Sequence, residues 1–490
     1  MRDVVHALRD HSYTFSNYYD YESRPSQERV NANNVAAQFP ERMYHDDKVY
    51  ENSMALTCAW NQKLRDAIPG IIAEVADHAG VEAEAEFVGM GAFNIVYKVD
   101  KFGGIYRFPI LGKSAFRHEK TNDECMIMQY LSRHTAIPIP RLIAAKSCEV
   151  GPYLVMARAD GKDLSDYLET KPQLGGPGGL DPNVNMTTLA QAYRSMAKIL
   201  IELSKCRFAH IGAVGRNESK QWCVTKRPIT INMNQIVSCG NFPVKALPQK
   251  AFATANEYFA CLAEIHLTHL KTQRNDAIDD ETDARKKYVS RCLFSKIAQN
   301  FSVQDNHRPF PLYCDDLRPS NVLVDDEMNI RSVIDWEYCY AAPVEFTYCS
   351  PWWLLLKHPE DWDRDLGNFF EQYLPRHKLF IQVLREEEHD LIHQGKLLES
   401  QCLSTRMSES VSNGHFWFCL AATSSYAFDD IYWRFIDPAY YGPFTSIKDR
   451  IQLLNQQERD DLEPFVQLKI QQAGEGTVDQ HWTVEEMFDA

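Results

Sequence analysis

The chain has 490 residues and a mass of 56.5 kDa, which is long for a single simple core and predicts two lobes with an insertion. Its content of 44% hydrophobic, 12% aromatic and 24% charged residues excludes a disordered, collagen-like or coiled-coil chain. The net charge of −15 opposes a broad surface for nucleic acid or anionic membrane, so we expect neither as a partner.

The thirteen cysteines are scattered from Cys58 to Cys419 without any Cys-x-x-Cys pair, which disfavours both a zinc site and a disulfide framework. No stretch reaches the ~18 apolar residues that span a bilayer, and the first residues have no apolar run typical of a signal peptide. We therefore expect reduced thiols and a cytoplasmic location.

Residues 1–80 predict a helical N-terminal extension. Three apolar side chains recur there at helical spacing: Trp60, Leu64 and Ile68. Pro69 and Gly70 predict an interruption, and the apolar pattern then indicates a second helix from Ile71.

Residues 81–157 predict a small antiparallel sheet with one helix. Three short strands separated by turns are expected within 86–109, where the apolar period changes from that of a helix. A helix is expected over 117–132, and the apolar run 153–156 predicts a further buried strand.

Residues 158–450 predict a larger, mostly helical lobe, in which a Gly-rich loop at 175–179 precedes the helices. It contains a helical insertion over 187–310. Three helical runs are expected in the insertion: 187–205, 249–273 and 281–300. Residues 451–490 predict an acidic C-terminal tail.

The loop from Gly89 through Gly91 to Asn94 lies between two predicted strands. This context argues against a dinucleotide-binding fold and a Walker loop, because both need a helix N-terminus behind the phosphates. A glycine pair in a hairpin lets backbone amides fold over a triphosphate, and the same pair also serves as an ordinary tight turn.

Asp316 precedes Asn321 by five residues, and Asp335 ends an apolar strand 14 residues further on. One carboxylate can accept or orient a hydroxyl proton, while the amide and second carboxylate are hard oxygen ligands for Mg²⁺ on nucleotide phosphates. An Asp and an Asn at this spacing are also typical of a solvated turn. The predicted strands at 322–324 and 330–334 favour the functional interpretation.

With these motifs in this order, residues 86–350 resemble the aminoglycoside phosphotransferase and choline kinase superfamily, particularly its large fungal branch of phosphotransferase enzyme family proteins. That family has, in the same order, a glycine loop, a basic residue on the third strand and a glutamate on the next helix. A His-Gly-Asp-Leu-His-Pro-x-Asn loop and an Ile-Asp-Trp-Glu metal motif follow. The resemblance implies an α+β, protein-kinase-like fold with a small antiparallel-sheet N-lobe and a large, mostly helical C-lobe.

The resemblance also implies cofactors and roles. ATP and Mg²⁺ are the expected cofactors, with Asp316 as the catalytic base and Asn321 and Asp335 as metal ligands. Six residues are expected at the nucleotide: Gly89, Gly91, Asn94, Arg107, Glu124 and Met156.

Arg107 stands where the family usually has a lysine. Its planar guanidinium suits bidentate phosphate contact, and a structural ion pair with Glu124 is the alternative. Glu119 competes with Glu124 for the place of the helix glutamate.

The expected catalytic loop departs from the family pattern twice, with Cys314 in place of histidine and Asp315 in place of glycine. In an extended loop Asp315 and Asp316 point apart, and the interval to Asn321 selects Asp316. Because of these departures, a pseudokinase or nucleotide-binding regulatory protein without turnover is the main alternative, and a regulatory partner using the acidic surface is another. No Gly-x-Ser-x-Gly elbow is present, which disfavours a hydrolase.

The spacing of the motifs bears on the acceptor. Met156 and Asp316 are 160 residues apart, and neither Asp-Phe-Gly nor Ala-Pro-Glu follows Asp335, so the platform for a protein substrate is missing. In the resembling family such an insertion walls the acceptor pocket. We therefore expect a small hydroxylated metabolite as acceptor, with Trp352 and Trp353 in the lobe core or, alternatively, beside the acceptor.

Overall fold

The structure is a computed structural model with two lobes, as predicted from the sequence. It describes most of the chain: residues 42–79, 84–99, 104–170, 179–302, 306, 309–362 and 366–479. Residues 1–41 of the predicted extension, most of the Gly-rich loop and the last eleven residues of the predicted tail lie outside this part. None of the helices within these ranges is long and apolar enough to cross a membrane.

The N-lobe is a five-stranded antiparallel sheet with strand order β1-β2-β3-β5-β4. Its strands are β1 (Ala85–Met90), β2 (Asn94–Val99), β3 (Gly104–Pro109), β4 (Leu142–Cys148) and β5 (Gly151–Ala157). The first three and β5 match the strands predicted from the sequence. The sequence analysis missed β4, whose side chains alternate between half-buried and exposed because it lies at the sheet edge.

Helices cover both faces of this sheet. On one face lies α1 (Asp47–Ala79), with Trp60 and four aliphatic side chains buried against the strands, and the Trp60 indole donates to the carbonyl oxygen of Val150 at 2.7 Å. On the other lies α2 (Arg117–His134). The predicted break at Pro69 is wrong, since α1 continues through it; packing against the sheet on both sides of the proline offsets its missing N–H.

Short strands position the loops of the C-lobe. They are β6 (Lys162–Asp163), β7 (Ala213–Arg216), β8 (Trp222–Lys226), β9 (Leu312–Cys314), β10 (Val322–Val324), β11 (Ile330–Val333) and β12 (Cys339–Ala341). β10 pairs with β11 and β6, and β9 pairs with β12. These pairings bring the end of β9, which leads into Asp315 and Asp316, beside the segment that follows β11.

The rest of the C-lobe is helical. Its helices are α3 (Met186–Lys205), α4 (Ile231–Cys239), α5 (Ala255–Thr272), α6 (Glu281–Ala298), α7 (Val344–Thr347), α8 (Leu366–His393), α9 (Ser404–Ser412), α10 (His415–Thr423), α11 (Phe428–Ile431), α12 (Asp437–Tyr441), α13 (Ile447–Gln452) and α14 (Gln456–Glu475). All three predicted helices of the insertion are present. The second begins later than predicted because Thr254 and Glu257 form a capping box at its N-terminus.

Two elements of the insertion were not predicted, namely α4 and the β7–β8 hairpin, which lie within residues 208–247, a stretch whose sequence indicates irregular structure. α4 carries Asn232, Asn234 and Gln235 on its buried surface, so its sequence lacks the apolar stripe that marks a core helix. The hydrogen bonds that satisfy these amides come from distant parts of the chain, which the local sequence does not reveal.

Candidate active site

A buried arginine lies at the centre of the cleft between the lobes. Arg107, on β3, forms ion pairs with three carboxylates: Glu124 of α2, Asp335 at 2.5 Å and Glu337 at 3.2 Å. Burial alone would lower the pKa of Arg107, but the three carboxylates hold it well above its ordinary value. The arginine is therefore a permanent cation that holds α2 and the segment after β11 together.

Glu337 is fully buried and has polar partners on several sides. Lys120 of α2 forms a second ion pair with it, and the Asn94 side-chain amide donates to its Oε1 at 3.1 Å. Burial would raise the pKa of Glu337, but Lys120 and Arg107 lower it below the ordinary value. Glu337 is thus an ionised structural anchor for both lobes.

The glycine loop closes against this anchor. Gly89 lies next to a register shift between β1 and β2, and the Gly91 N–H donates to the Asn94 carbonyl oxygen at 2.8 Å. The ring of Phe93 meets the ring of Tyr338 edge-on at 5.4 Å between centroids. The loop is therefore fixed at its Asn94 end to the segment that follows Asp335, while the side chain of Asn94 points inward to Glu337.

Met156 lies near the end of β5, where it pairs with Ile105 of β3. It packs with Cys125 of α2 and with Leu154 in a small apolar cluster. This cluster lies between the sheet and α2, at the chain segment that leads into the C-lobe.

The residues of the expected catalytic loop are in direct contact. Arg318 Nε donates to Asp316 Oδ1 at 3.0 Å, and the Asn321 amide donates to the Asp316 carbonyl at 2.7 Å and to Oδ2 at 3.4 Å. The Ile334 N–H donates to the Asn321 carbonyl at 2.9 Å, which fixes the loop to the residue before Asp335. Both oxygens of Asp316 are therefore oriented by side chains of its own loop.

Asp335 adopts a left-handed backbone conformation, with φ of 61°. A non-glycine residue in this conformation carries strain, which is common where a site fixes a side-chain direction. Burial raises the pKa of Asp335 to about 8, against the opposing effect of Arg107, and the charges of Glu337, Glu124 and Asp316 add to the rise. The carboxylate therefore lies in a strongly anionic environment that would favour a bound cation.

The donor chemistry fits Mg²⁺. Asp335 supplies a carboxylate, and its side chain is 27% exposed. Asn321 uses its amide nitrogen for Asp316, which leaves its Oδ1 as a hard oxygen donor. Within the described ranges no group of three or more His, Cys, Asp or Glu side chains forms a metal cage. A Mg²⁺ ion held by these two residues would complete its coordination with water and phosphate oxygens, as Mg²⁺ usually does.

Asp315 has different partners from Asp316. Its Oδ2 accepts from the Ile231 N–H at 3.1 Å, and the Tyr340 hydroxyl lies at 3.4 Å from its Oδ1. Burial raises the pKa of Asp315 to about 7. The two adjacent carboxylates thus contact different elements of the C-lobe.

A cavity of about 80 Å³ lies beside the catalytic loop. Its walls include residues of the loop, of α4 and of the helical lobe: Asp315, Leu317, Ile231, Phe346, Trp352 and Met407. Trp352 and Trp353 belong to the C-lobe core and also border this cavity.

Two members of the site were not singled out in the sequence, Lys120 and Glu337. Lys120 precedes Glu124 by four residues, so both lie on one face of α2, and this spacing is a signal for a shared partner. The competitor Glu119 instead pairs with Lys226 and Arg227, which places Glu124 at Arg107.

Comparison with known families gives one match. The sequence model described as "Phosphotransferase enzyme family" matches residues 113–380, which is more than half of the chain. No curated protein sequence matches significantly.

Several solved structures are similar to the chain at low sequence identity. An aminoglycoside phosphotransferase, APH(4)-Ia, is 13% identical, with 82% of this chain and 99% of that chain covered and a TM-score of 0.39. Macrolide 2′-phosphotransferase type I is 11% identical, with coverages of 75% and 96% and a TM-score of 0.38. A microcompartment-associated aminopropanol kinase is 10% identical, with coverages of 81% and 95% and a TM-score of 0.35.

Proposed function

This chain belongs to the phosphotransferase enzyme family, and on that premise we propose that it transfers the γ-phosphoryl group of ATP to a hydroxyl of a small molecule. The observation that carries the proposal is the hydrogen-bonded pair of Asp316 and Asn321, joined through Ile334 to Asp335. Phosphoryl transfer depends mainly on positioning and on charge neutralisation, and these residues are of the types that supply both.

Asp316 is the proposed proton acceptor for the attacking hydroxyl. Arg318 and Asn321 hold its two oxygens, so the carboxylate is oriented before any substrate binds. A fixed orientation matters because a general base must lie within hydrogen-bond reach of the proton that it removes.

Asn321 and Asp335 are the proposed ligands of Mg²⁺, which when bound would neutralise charge on the triphosphate. Asp335 suits this role because its environment already disfavours an uncompensated negative charge. Arg107 is engaged by three carboxylates, which supports the structural alternative from the sequence. We propose that it acts by holding Asp335 and Glu124 in place.

The acceptor pocket is proposed to be the cavity beside the catalytic loop. Asp315 and Leu317, the chain neighbours of the proposed base Asp316, both border this cavity. Much of its wall is apolar and aromatic, with Phe346, Trp352 and Met407 among the lining side chains. These walls favour an acceptor with a hydroxyl group and an apolar body over a highly charged compound. All thirteen cysteines are free thiols, and we propose the reducing cytosol as the site of the reaction.

The test is a thermal-shift titration with ATP and Mg²⁺, followed by mass spectrometry of metabolite extracts incubated with the protein and MgATP. The wild type is expected to bind MgATP and to yield a product heavier by one phosphoryl group. Asp316→Asn is expected to bind the nucleotide without forming that product, and Asp326→Asn, on an exposed turn, serves as the active control. Nucleotide binding without any turnover across broad hydroxyl panels would instead identify a pseudokinase.

A further inference from the structure

Helix α4 buries an unusual set of polar side chains. Asn232, Asn234 and Gln235 are exposed by only 3%, 1% and 3%. Burying a primary amide is unfavourable unless its donors and acceptors are paired. The partners of these side chains therefore show which segments the helix is hydrogen-bonded to.

The buried Asn234 joins α4 to the N-lobe. Its Oδ1 accepts from the Ala115 N–H at 2.8 Å, and its Nδ2 donates to the Lys113 carbonyl oxygen at 3.0 Å. Both partners lie between β3 and α2. The contact therefore connects the insertion of the C-lobe directly with the connection before α2.

The other two amides join α4 to the C-lobe. Asn232 Oδ1 accepts from the Ser425 N–H at 2.9 Å, and Gln235 Nε2 donates to Glu360 Oε2 at 2.9 Å. We call α4 with its N-cap Thr230 the interlobe clasp, because its side chains hydrogen-bond to both lobes.

The N-terminus of the clasp contacts the catalytic loop. The Thr230 hydroxyl caps the helix by accepting from the Met233 N–H. The Ile231 N–H, at the first position of the helix, donates to Asp315 Oδ2 at 3.1 Å. A carboxylate at a helix N-terminus is stabilised by the unpaired N–H groups and by the helix dipole. Asp315 is therefore the link between the clasp and the residue next to it, Asp316.

We propose that Asp315 is a positioning residue, which sets the place of Asp316 by holding the catalytic loop to the interlobe clasp. The inference rests on the proposed phosphoryl transfer. Asp315 and Asp316 share a peptide unit, so a shift of one backbone moves the other. A displacement of ~1 Å in a reacting group is enough to cost up to about a hundredfold in rate.

The first experiment compares Asp315→Ala with Asp315→Asn, using MgATP hydrolysis by water as the probe reaction. The alanine variant is expected to lower kcat about tenfold or more, with KM for MgATP changed less than about twofold. The asparagine variant keeps an acceptor for Ile231, so it is expected to restore most of kcat. Asp326→Asn controls for a loss of charge on the surface.

The second readout needs no turnover. Amide hydrogen exchange across residues 316–321 is expected to speed up in Asp315→Ala and to stay near wild type in Asp315→Asn. Asn234→Ala, which removes the clasp's hydrogen bonds to the N-lobe, is expected to speed up the same amides. Its effect on ln kcat should combine with that of Asp315→Ala less than additively, because both act through one helix.

Two results would overturn the inference. Unchanged exchange across 316–321 in Asp315→Ala would show that Asp315 does not hold the loop. A raised KM for the acceptor with unchanged MgATP hydrolysis would show that Asp315 only lines the acceptor pocket. If the wild type neither binds nor hydrolyses MgATP, the proposed function fails, and the exchange experiment still decides whether Asp315 positions the loop.

Discussion

Two groups of carboxylates lie in the cleft, and they are stabilised in different ways. Glu124, Asp335 and Glu337 surround Arg107, and Glu337 also pairs with Lys120, so buried cations oppose their charges. The catalytic loop has one arginine at Asp316, while Asp315 has only neutral donors among the described residues. The first group is an ionic framework that fixes geometry, whereas in the second group burial raises the pKa of Asp315 to about 7.

The largest expected effect comes from Asp335→Ala, which removes a proposed metal ligand from the ionic framework. We expect MgATP affinity to fall below detection, because water does not replace the charge of the carboxylate. Calorimetric titration with ATP and Mg²⁺ measures this. We expect the variant to fold, because Asp335 is in an anionic environment that disfavours its charge. Unchanged MgATP affinity would refute its role as a metal ligand.

Arg107→Met removes the cation from the same framework. Leaving the buried Glu124 and Glu337 and the partly buried Asp335 with Lys120 as their cation should lower the free energy of unfolding by about 3–5 kcal/mol, measured by urea denaturation. Arg285→Met is the matched control, because its partners Glu281 and Glu463 are solvent-exposed and its loss should cost less than about 1 kcal/mol. Equal losses of unfolding free energy in the two variants would show that the ionic framework contributes no more to stability than a surface ion pair.

Asp316→Asn tests the other group. Turnover should fall by roughly two or more orders of magnitude, because the change removes a proton acceptor without creating a cavity, while MgATP affinity should persist. Steady-state rates and a nucleotide titration separate the two effects. A crippling Asp315→Asn together with a mild Asp316→Asn would instead identify Asp315 as the base.

A further expected effect is a pH dependence of stability. The folded-state pKa values of Asp315, about 7, and Asp335, about 8, exceed the ordinary value of an unfolded Asp. Between that ordinary value and the folded-state values, the folded state therefore binds more protons than the unfolded state. The free energy of unfolding should therefore fall as pH rises from ~4 to 8, by at most about 1.4 kcal/mol per pH unit for each group. Urea denaturation at several pH values should show a shallower fall in Asp315→Asn, and an identical fall would contradict the assignment.

The sequence predicts the local parts of the site better than the parts that join distant segments. Asp316, Asn321 and Asp335 form a short motif between apolar strands, and the structure brings the first two into contact. The partners of Arg107 depend on helix packing, and spacing alone did not decide whether Glu119 or Glu124 lies at Arg107.

The interlobe clasp shows why the contacts between distant segments were not predictable from the sequence. Its amides are satisfied by Ala115, Ser425 and Glu360, which lie about 120 to 190 residues away in sequence. No local pattern encodes such contacts. The continuous α1 is a similar case, because packing of Ile68 and Ile71 on the sheet overrides the local effect of Pro69.

The packing of α1 on the sheet has a practical consequence for protein production. The family match covers only 113–380, and a fragment cut to those limits would lose α1, the first three strands and Arg107. Even a fragment starting at residue 80 would uncover the sheet face that contains Tyr97, Tyr106 and Phe108. A bare aromatic surface of this kind promotes aggregation, so recombinant expression should retain the chain from before Asp47.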